Sequence, residues 1–117
     1  MRTNLAVLIA KEEGFGKPGA VPTRDRNPGD LRHSPHSSHA GEGPNDIGEI
    51  DTDADGWADL ERQLELYAER GLTLGEAIAV LAPPSENNTA KYLADMCAGL
   101  GGIDPDTPMT EVLKIQA

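Results

Sequence analysis

The feature that most constrains the fold of this 117-residue chain is a long stretch without hydrophobic periodicity, from about residue 15 to residue 53. It is rich in Gly, Pro, Ser, Asn and His, and it contains the turn sequences Pro18-Gly19 and Asn27-Pro28-Gly29-Asp30. A segment of this length inside a compact domain is typically functional or disordered, and its defined turns favour function. We therefore expect an irregular arm that lines a cleft, with Ile47-Gly48-Glu49-Ile50 forming at most one strand of a minimal β-ribbon.

Helical patterns flank this arm on both sides. Apolar residues recur at helical spacing over about residues 3–14, 54–70, 73–81, 89–100 and 107–115. Thr73 and Glu76 form a capping-box sequence, and Gly71 and Pro83-Pro84 are typical of the ends of helices. The chain is thus predicted to be one mainly α-helical domain over residues 1–117, with a single hydrophobic core.

The first predicted helix ends in two glutamates, within Lys11-Glu12-Glu13-Gly14-Phe15. Helical spacing extends one apolar stripe to Glu12 and the neighbouring stripe to Glu13, so the pattern does not choose between them. Gly14 fits a helix C-terminus, and Phe15 is placed to cover the acid. A half-desolvated glutamate retains its proton to higher pH, which suits a general acid. A solvated helix end explains the same residues without any catalytic role.

Two further groups of residues have the chemistry of metal ligands. The sequence from Asp51 to Gly56 matches the first half of a calcium loop, but Arg62 stands at the twelfth position, where a bidentate glutamate is required. The arm also offers zinc ligands, in His33, His36, His39, Glu42 and Asp46. Proline and serine make that segment a loop whose spacing fixes no metal geometry. We predict no metal and no cofactor, and a metal-binding module is a minor alternative.

Charge and hydropathy limit the partners. Ten Lys and Arg against twenty Asp and Glu give a net charge of -10, which argues against nucleic acid or an anionic membrane held by charge. The apolar run after Arg2 is too short for a signal peptide, and no segment approaches the roughly 18 apolar residues that span a bilayer. We expect a monomer made in the cytoplasm without its own signal peptide, and no membrane insertion.

Four groups of residues, taken in chain order, resemble phage and prophage peptidoglycan-cleaving domains of the lysozyme-like superfamily, which include endolysins. They are Glu13-Gly14-Phe15; Asn27-Pro28-Gly29-Asp30-Leu31-Arg32; Asp55-Gly56-Trp57 with Leu60 and Gln63-Leu64; and Ala82-Pro83-Pro84-Ser85-Glu86-Asn87-Asn88-Thr89 with Tyr92. The resemblance extends from Ile9 to Leu113. Its second and fourth groups are the more specific ones.

The resemblance implies a small lysozyme-like helical fold in which the first long helix carries the catalytic glutamate, matched by Glu13. That residue would protonate the glycosidic oxygen between N-acetylmuramic acid and N-acetylglucosamine in peptidoglycan. Tyr92 matches a cleft tyrosine of transglycosylase-like relatives. The resemblance further implies a substrate-binding set of Asn27, Asp30, Ser85, Asn87 and Tyr92.

The type of product depends on a second carboxylate. Phage-type lysozymes place an aspartate on a hairpin soon after the glutamate, whereas residues 16–24 here contain none. If Glu13 acts alone, as acid and then as base, the product is a 1,6-anhydro sugar, and a lytic transglycosylase is favoured. Asp25, Asp30 and Asp51 remain candidates for activating a water in a hydrolytic muramidase.

Two expectations complete the sequence-based hypothesis. Action in the periplasm or cell wall would require delivery, by a phage lysis system, a virion or a secretion device. The rival class is a non-enzymatic glycan-binding or structural module with the same fold, in which Glu13 is only a solvated helix end.

Overall fold

The computed structural model describes residues 2–32, 34–37 and 47–116, and this part of the chain is mainly α-helical, as predicted. Five of the helices begin and end within two residues of their predicted bounds. The helices are α1 (Asn4–Glu13), α2 (Val21–Arg24), α3 (Asp53–Glu69), α4 (Leu74–Leu81), α5 (Thr89–Gly99) and α6 (Met109–Gln116). None of the helices in the described ranges has the length and apolar character needed to cross a lipid bilayer.

The helices other than α2 enclose one hydrophobic core. Helix α1 packs against α3, α5 and α6, and α4 packs against α5 and α6. The core side chains are Leu5, Ala6, Ile9, Leu60, Leu64, Tyr67, Leu74, Ala77, Ile78, Ala82, Tyr92, Met96, Met109 and Val112. Because α1 and α5 lie side by side, residues at their ends that are distant in sequence are brought together.

Polar caps explain where several helices begin. The predicted capping box is present: Thr73 Oγ1 accepts from the Glu76 amide at 3.2 Å, and Glu76 Oε1 accepts from the Thr73 amide at 2.9 Å. Helix α6 begins at Met109, two residues after its predicted cap at Thr107. The Met109 amide donates to the Leu72 carbonyl at 2.9 Å, so the start of α6 lies beside the residues that precede α4.

The arm between α1 and α3 contains more regular structure than its sequence predicted. Helix α2 is a single turn with proline at one of its first two positions, and Ala20 provides no side-chain cap. One turn is too short to produce a helical period, so the sequence pattern could not reveal it. The expected ribbon is reduced, within the described residues, to an isolated antiparallel bridge between Ser37 and Ile50.

The arm is attached to α3 by a close approach at Gly56. This buried glycine lies in the first turn of α3, against the arm at Arg26 and Pro28. A β-carbon at position 56 would lie 2.1 Å from the Arg26 carbonyl oxygen and 2.8 Å from Pro28 Cδ. The absence of a side chain at Gly56 is therefore what allows the arm to pack on α3.

We expect Gly56→Ala to lower the free energy of unfolding by about 1–3 kcal/mol, because the contacting atom belongs to the backbone and cannot rotate away. Gly75→Ala is the matched control, since Gly75 also lies in the first turn of a helix and its β-carbon would meet only ordinary contacts, the nearest at 3.4 Å. That variant should be neutral or more stable by up to about 1 kcal/mol. Urea unfolding of both variants checks the prediction, and equal stabilities would contradict it.

Candidate functional site

The structure distinguishes the two glutamates at the end of α1. Ala6, Ile9 and Ala10 are buried, and Glu13 continues their stripe as a half-buried residue that lines a cleft. Glu12 lies outside the cleft lining, and its carboxylate is 3.9 Å from the ammonium group of Lys91. The helix ends at Gly14, whose φ of 88° is left-handed and favours glycine. Glu13 is therefore the acid that faces the cleft.

Tyr92 holds the Glu13 carboxylate. The Tyr92 hydroxyl donates a hydrogen bond of 2.6 Å to Glu13 Oε2, and it joins α5 to the end of α1. Phe15, which the sequence placed over the acid, instead packs edge-on against Trp57 with ring centroids 5.5 Å apart. The aromatic residue in contact with the acid is thus Tyr92.

The surroundings of Glu13 favour its protonated form. Burial is the main cause that raises the pKa of Glu13, and the charges of Asp30 and Glu12 act in the same direction. The hydrogen bond from Tyr92 opposes them because it stabilises the carboxylate. Burial and the neighbouring Glu13 also raise the pKa of the Tyr92 hydroxyl, so Tyr92 remains a neutral donor. The site thus combines an acid whose pKa is raised with a fixed hydrogen-bond donor that orients it.

The cleft has a volume of about 770 Å³ and lies between the arm and the helices. The arm contributes Val21, Gly29, Asp30, Leu31, Arg32 and Ile47. The helical side contributes Glu13, Gln63, Tyr67, Val80, Leu81, Pro83, Ser85, Glu86 and Asn87. Val21 and Val80 are exposed apolar side chains in this lining. Mixed apolar and polar walls of this size suit sugar rings, which present both kinds of surface.

Asp30 lies in the same cleft as Glu13. Its backbone φ of 52° is in the left-handed region, which is uncommon for a residue other than glycine. Its Oδ1 atom is buried without a hydrogen-bond partner among the described residues, and burial raises the pKa of Asp30. The other two candidate aspartates are placed differently: Asp25 is buried in an ion pair of 2.9 Å with Arg24, and Asp51 is exposed outside the lining. Asp30 is therefore the candidate that reaches the cleft.

Asn27 lies beneath the cleft wall, not on its surface. The side chain is fully buried, and its Nδ2 donates to the carbonyls of Leu31 at 2.7 Å and Gly48 at 2.9 Å. Its Oδ1 accepts from the Leu31 amide at 3.0 Å. The implied role in binding sugar is thus corrected, because these three bonds occupy the amide inside the arm. Asn27 holds the loop that presents Asp30.

Ser85 and Asn87 lie where a ligand in the cleft can reach them. Both are exposed cleft residues in the turn between α4 and α5. The turn is fixed at its far end, where Thr89 Oγ1 donates to the Ala82 carbonyl at 2.6 Å and Asn88 caps α5. The polar groups of this turn are therefore held in place beside the cleft.

The sequence-based site omitted several residues of the cleft. Arg32 and Glu86 belong to the two more specific sequence groups, yet nothing in the sequence indicated that they form an ion pair across the cleft. Gln63 and Tyr67 lie one turn apart on α3, and both line the cleft. The spacing of Gln63 and Tyr67 was a usable signal, because two residues four apart in a predicted helix lie on one face.

The candidate metal ligands do not assemble into a site in the part of the chain that is described. The segment that resembled a calcium loop is instead the beginning of α3, where Thr52 accepts from the Asp55 amide at 3.1 Å. Acidic residues in a first helical turn favour the helix dipole. No group of three or more His, Cys, Asp or Glu among the described residues is arranged to hold a metal ion. His33, His39, Glu42 and Asp46 lie outside the described residues.

His36 fastens the arm to α3 through a buried carboxylate. Its Nδ1 is 2.6 Å from Asp59 Oδ1, its backbone amide donates to Asp59 Oδ2 at 2.9 Å, and its Nε2 is 3.8 Å from Asp55 Oδ1. The hydrogen bond to Asp59 is the main cause that raises the pKa of His36, and the charges of Asp59 and Asp55 add to it. The arm is therefore held more tightly to α3 when His36 is protonated than when it is neutral.

We expect this contact to make stability depend on pH. Because the pKa of His36 is raised on folding, its stabilising effect is complete below the unfolded value of about 6.5 and is lost as pH rises through the folded value. The melting temperature of the wild type should exceed that of His36→Gln most near pH 5.5, and the gap should narrow toward pH 9. A gap independent of pH would show that the imidazolium charge has no part in the contact.

Comparison of the chain with protein-family models, with curated proteins and with solved structures finds no match. The geometry of the cleft itself is therefore what indicates a function. That geometry consists of a half-buried acid, a tyrosine bonded to it, a second carboxylate in the same cleft and a polar turn opposite the arm.

Proposed function

We propose that this protein cleaves the glycan strand of bacterial peptidoglycan between N-acetylmuramic acid and N-acetylglucosamine, with Glu13 as the acid. The observation that carries the proposal is the position of Glu13, half-buried in an open cleft and bonded to Tyr92 at 2.6 Å. A solvated helix end needs neither the burial nor the tyrosine. The resemblance to lysozyme-like domains supports the choice of substrate.

A lytic transglycosylase is the form of the reaction that Glu13 can complete alone. Protonated Glu13 donates its proton to the glycosidic oxygen as the bond from that oxygen to C1 of muramic acid breaks. The resulting carboxylate then accepts the proton of the muramic 6-hydroxyl while O6 bonds to C1. The product is a 1,6-anhydro ring, no water is consumed, and Glu13 regains its proton. Tyr92 orients the carboxyl group through both steps.

Hydrolysis is a second candidate because Asp30 lines the same cleft. In that reaction a water adds to C1, and a second carboxylate assists either by removing the proton of the water or by bonding to C1 first. Asp30 must be ionised for either role, and its raised pKa means that it ionises only at a higher pH than an ordinary aspartate does. Its Oδ1 atom, buried without a hydrogen-bond donor among the described residues, favours the protonated state as well. We therefore place transglycosylation first.

The products of digestion test both forms of the proposal. Purified peptidoglycan is digested with wild type and with Glu13→Gln, and the fragments are resolved by mass spectrometry. Anhydro-muropeptides that disappear in the variant support the transglycosylase, and reducing-end muropeptides that disappear identify a hydrolase and direct attention to Asp30→Asn. Folded wild type that yields no fragment contradicts the enzymatic proposal and favours a glycan-binding module.

We expect Tyr92→Phe to change the pH profile of the reaction. The Tyr92 hydrogen bond lowers the pKa of Glu13, so its removal should raise that pKa and move the loss of activity at alkaline pH to a higher pH. Tyr67→Phe is the matched control, since Tyr67 is a buried tyrosine of the cleft whose hydroxyl bonds to Gln63 instead. A profile of kcat/KM against pH that is the same in both variants would remove Tyr92 from the mechanism.

Access to the substrate belongs to the same proposal. Peptidoglycan lies outside the cytoplasmic membrane, so we propose that the protein acts as a monomer in the periplasm or wall once a phage lysis system, a virion or a secretion device has delivered it. A net charge of -10 gives it no general attraction to an anionic wall. Recognition of the substrate must therefore come from the cleft.

A further inference from the structure

An ion pair between Arg32 and Glu86 joins the two sides of the cleft. Arg32 belongs to the arm and Glu86 to the turn between α4 and α5, and Arg32 Nη2 donates to Glu86 Oε1. Both side chains line the cleft, and they remain 35% and 40% exposed. Ion pairs with this degree of exposure contribute little to folding stability. The position of the pair therefore calls for a functional explanation.

The charges around this pair are otherwise negative. Among the described residues that line the cleft, Arg32 is the only lysine or arginine, whereas Glu13, Asp30 and Glu86 are acidic. Of the described residues in this lining, Arg32 alone can therefore offer a side-chain cation to an anionic glycan that enters the cleft.

We propose that the guanidinium of Arg32 binds a carboxylate of the substrate, and that Glu86 is the internal carboxylate which the substrate replaces. The inference rests on the proposed function and deepens it by naming the substrate class: a glycan that carries carboxylates, as opposed to a neutral polymer of N-acetylglucosamine. A guanidinium suits this role because its planar fork matches the two oxygens of a carboxylate. In peptidoglycan that carboxylate is either the lactyl group of muramic acid without its peptide or an acidic group of the stem peptide.

The exchange of partners costs little at this site. When a substrate carboxylate replaces Glu86, Arg32 keeps a charged partner of the same chemistry. Glu86 is left in an exposed turn, where water solvates it, so no buried charge remains unpaired. Glu86 thus acts as a competitor that only a well-placed carboxylate displaces, which excludes neutral strands from this contact.

Binding measurements in the Glu13→Gln background test the inference without requiring catalysis. Three tetrasaccharides are titrated by calorimetry: alternating N-acetylglucosamine and N-acetylmuramic acid with free lactyl groups, the same glycan with stem peptides, and a tetramer of N-acetylglucosamine. We expect Arg32→Gln to lower the affinity for a carboxylate-bearing ligand by about tenfold or more. Glu86→Gln should raise that affinity severalfold, and the neutral tetramer should bind equally to all variants.

The acidic ligand that shows the Arg32 dependence identifies the source of the carboxylate. The double variant Arg32→Glu, Glu86→Arg keeps an ion pair but moves the cation to the other wall, and we expect it to bind the acidic ligands as weakly as Arg32→Gln does. Recovery of full binding in the double variant, or equal losses for neutral and acidic ligands, would mean that the pair only shapes the cleft and would overturn the inference. Folded protein that binds none of the three ligands overturns the proposed function as well, so the two failures are distinguishable.

Discussion

Glu13→Gln should reduce the rate of peptidoglycan cleavage by at least about a hundredfold, and by as much as ten-thousandfold if the remaining residues supply no substitute acid. Glutamine keeps the size of the side chain and an oxygen that accepts the Tyr92 hydroxyl, but it has no proton to give to the glycosidic oxygen. The loss should fall on kcat more than on KM, since the acid acts in the transition state. Release of soluble muropeptides, measured against wild type at equal protein concentration, checks the result.

Glu12→Gln is the matched control for this experiment. Glu12 precedes Glu13 in the same helix, but it lies beside Lys91 outside the cleft lining. The activity of the Glu12→Gln variant should therefore stay within about twofold of wild type. Folding of Glu13→Gln is verified by thermal unfolding. Because burial raises the pKa of Glu13 above 4.5, the ionised residue opposes folding above that pH, and the variant should be at least as stable as wild type at pH 7. Equal activity of the two variants would show that Glu13 is a solvated helix end.

Asn27→Ala should lower the free energy of unfolding by about 3–5 kcal/mol, the largest expected loss of stability. The substitution removes the three hydrogen bonds of a fully buried amide. It leaves the Leu31 amide and the Gly48 carbonyl without these partners, and each unsatisfied buried group costs about 1–3 kcal/mol. The Leu31 carbonyl still accepts from the Gly48 amide at 3.0 Å. Against a typical total of about 5–15 kcal/mol, this loss threatens the folding of the arm. Chemical denaturation measures it.

Asn87→Ala provides the contrast, because Asn87 is an exposed asparagine of the same cleft. Its unfolding free energy should remain within about 0.5 kcal/mol of wild type, and any effect should appear in the binding of glycan instead. A loss of stability in the Asn27 variant and a loss of glycan binding in the Asn87 variant would then distinguish a residue that supports the cleft wall from one that contacts the ligand. Similar stabilities for the two variants would contradict the structural role given to Asn27.

The helices were predictable from the sequence because their signals are local. The capping box of Thr73 and Glu76, the glycine after Glu13 and the apolar spacing along α3 each act within a few residues. The mainly α-helical class followed directly. The one-turn α2 did not, because four residues are too few to show a period.

The candidate site was predictable only where the helical periodicity around a residue indicated the face on which its side chain lies. The stripe of α1 reduced the choice to Glu12 or Glu13, and packing of α1 on α5 then selected Glu13 through a tyrosine 79 residues away. The pairing of Arg32 with Glu86 across 54 residues left no mark in the sequence. Asn27 was misassigned because the local sequence around an asparagine in a turn does not show whether its amide faces solvent or the interior of a loop.

The two sides of the cleft are held by different means, and this has a consequence for how such a protein can diversify. Glu13 and Tyr92 are fixed by helices that share the hydrophobic core, whereas the arm is attached to α3 by the contact of His36 with Asp59 and by the approach of Gly56. Mutations in the arm can therefore accumulate without displacing the acid. A lineage that varied the arm would change one wall of the cleft while the end of α1 and Tyr92 on the opposite wall stayed the same.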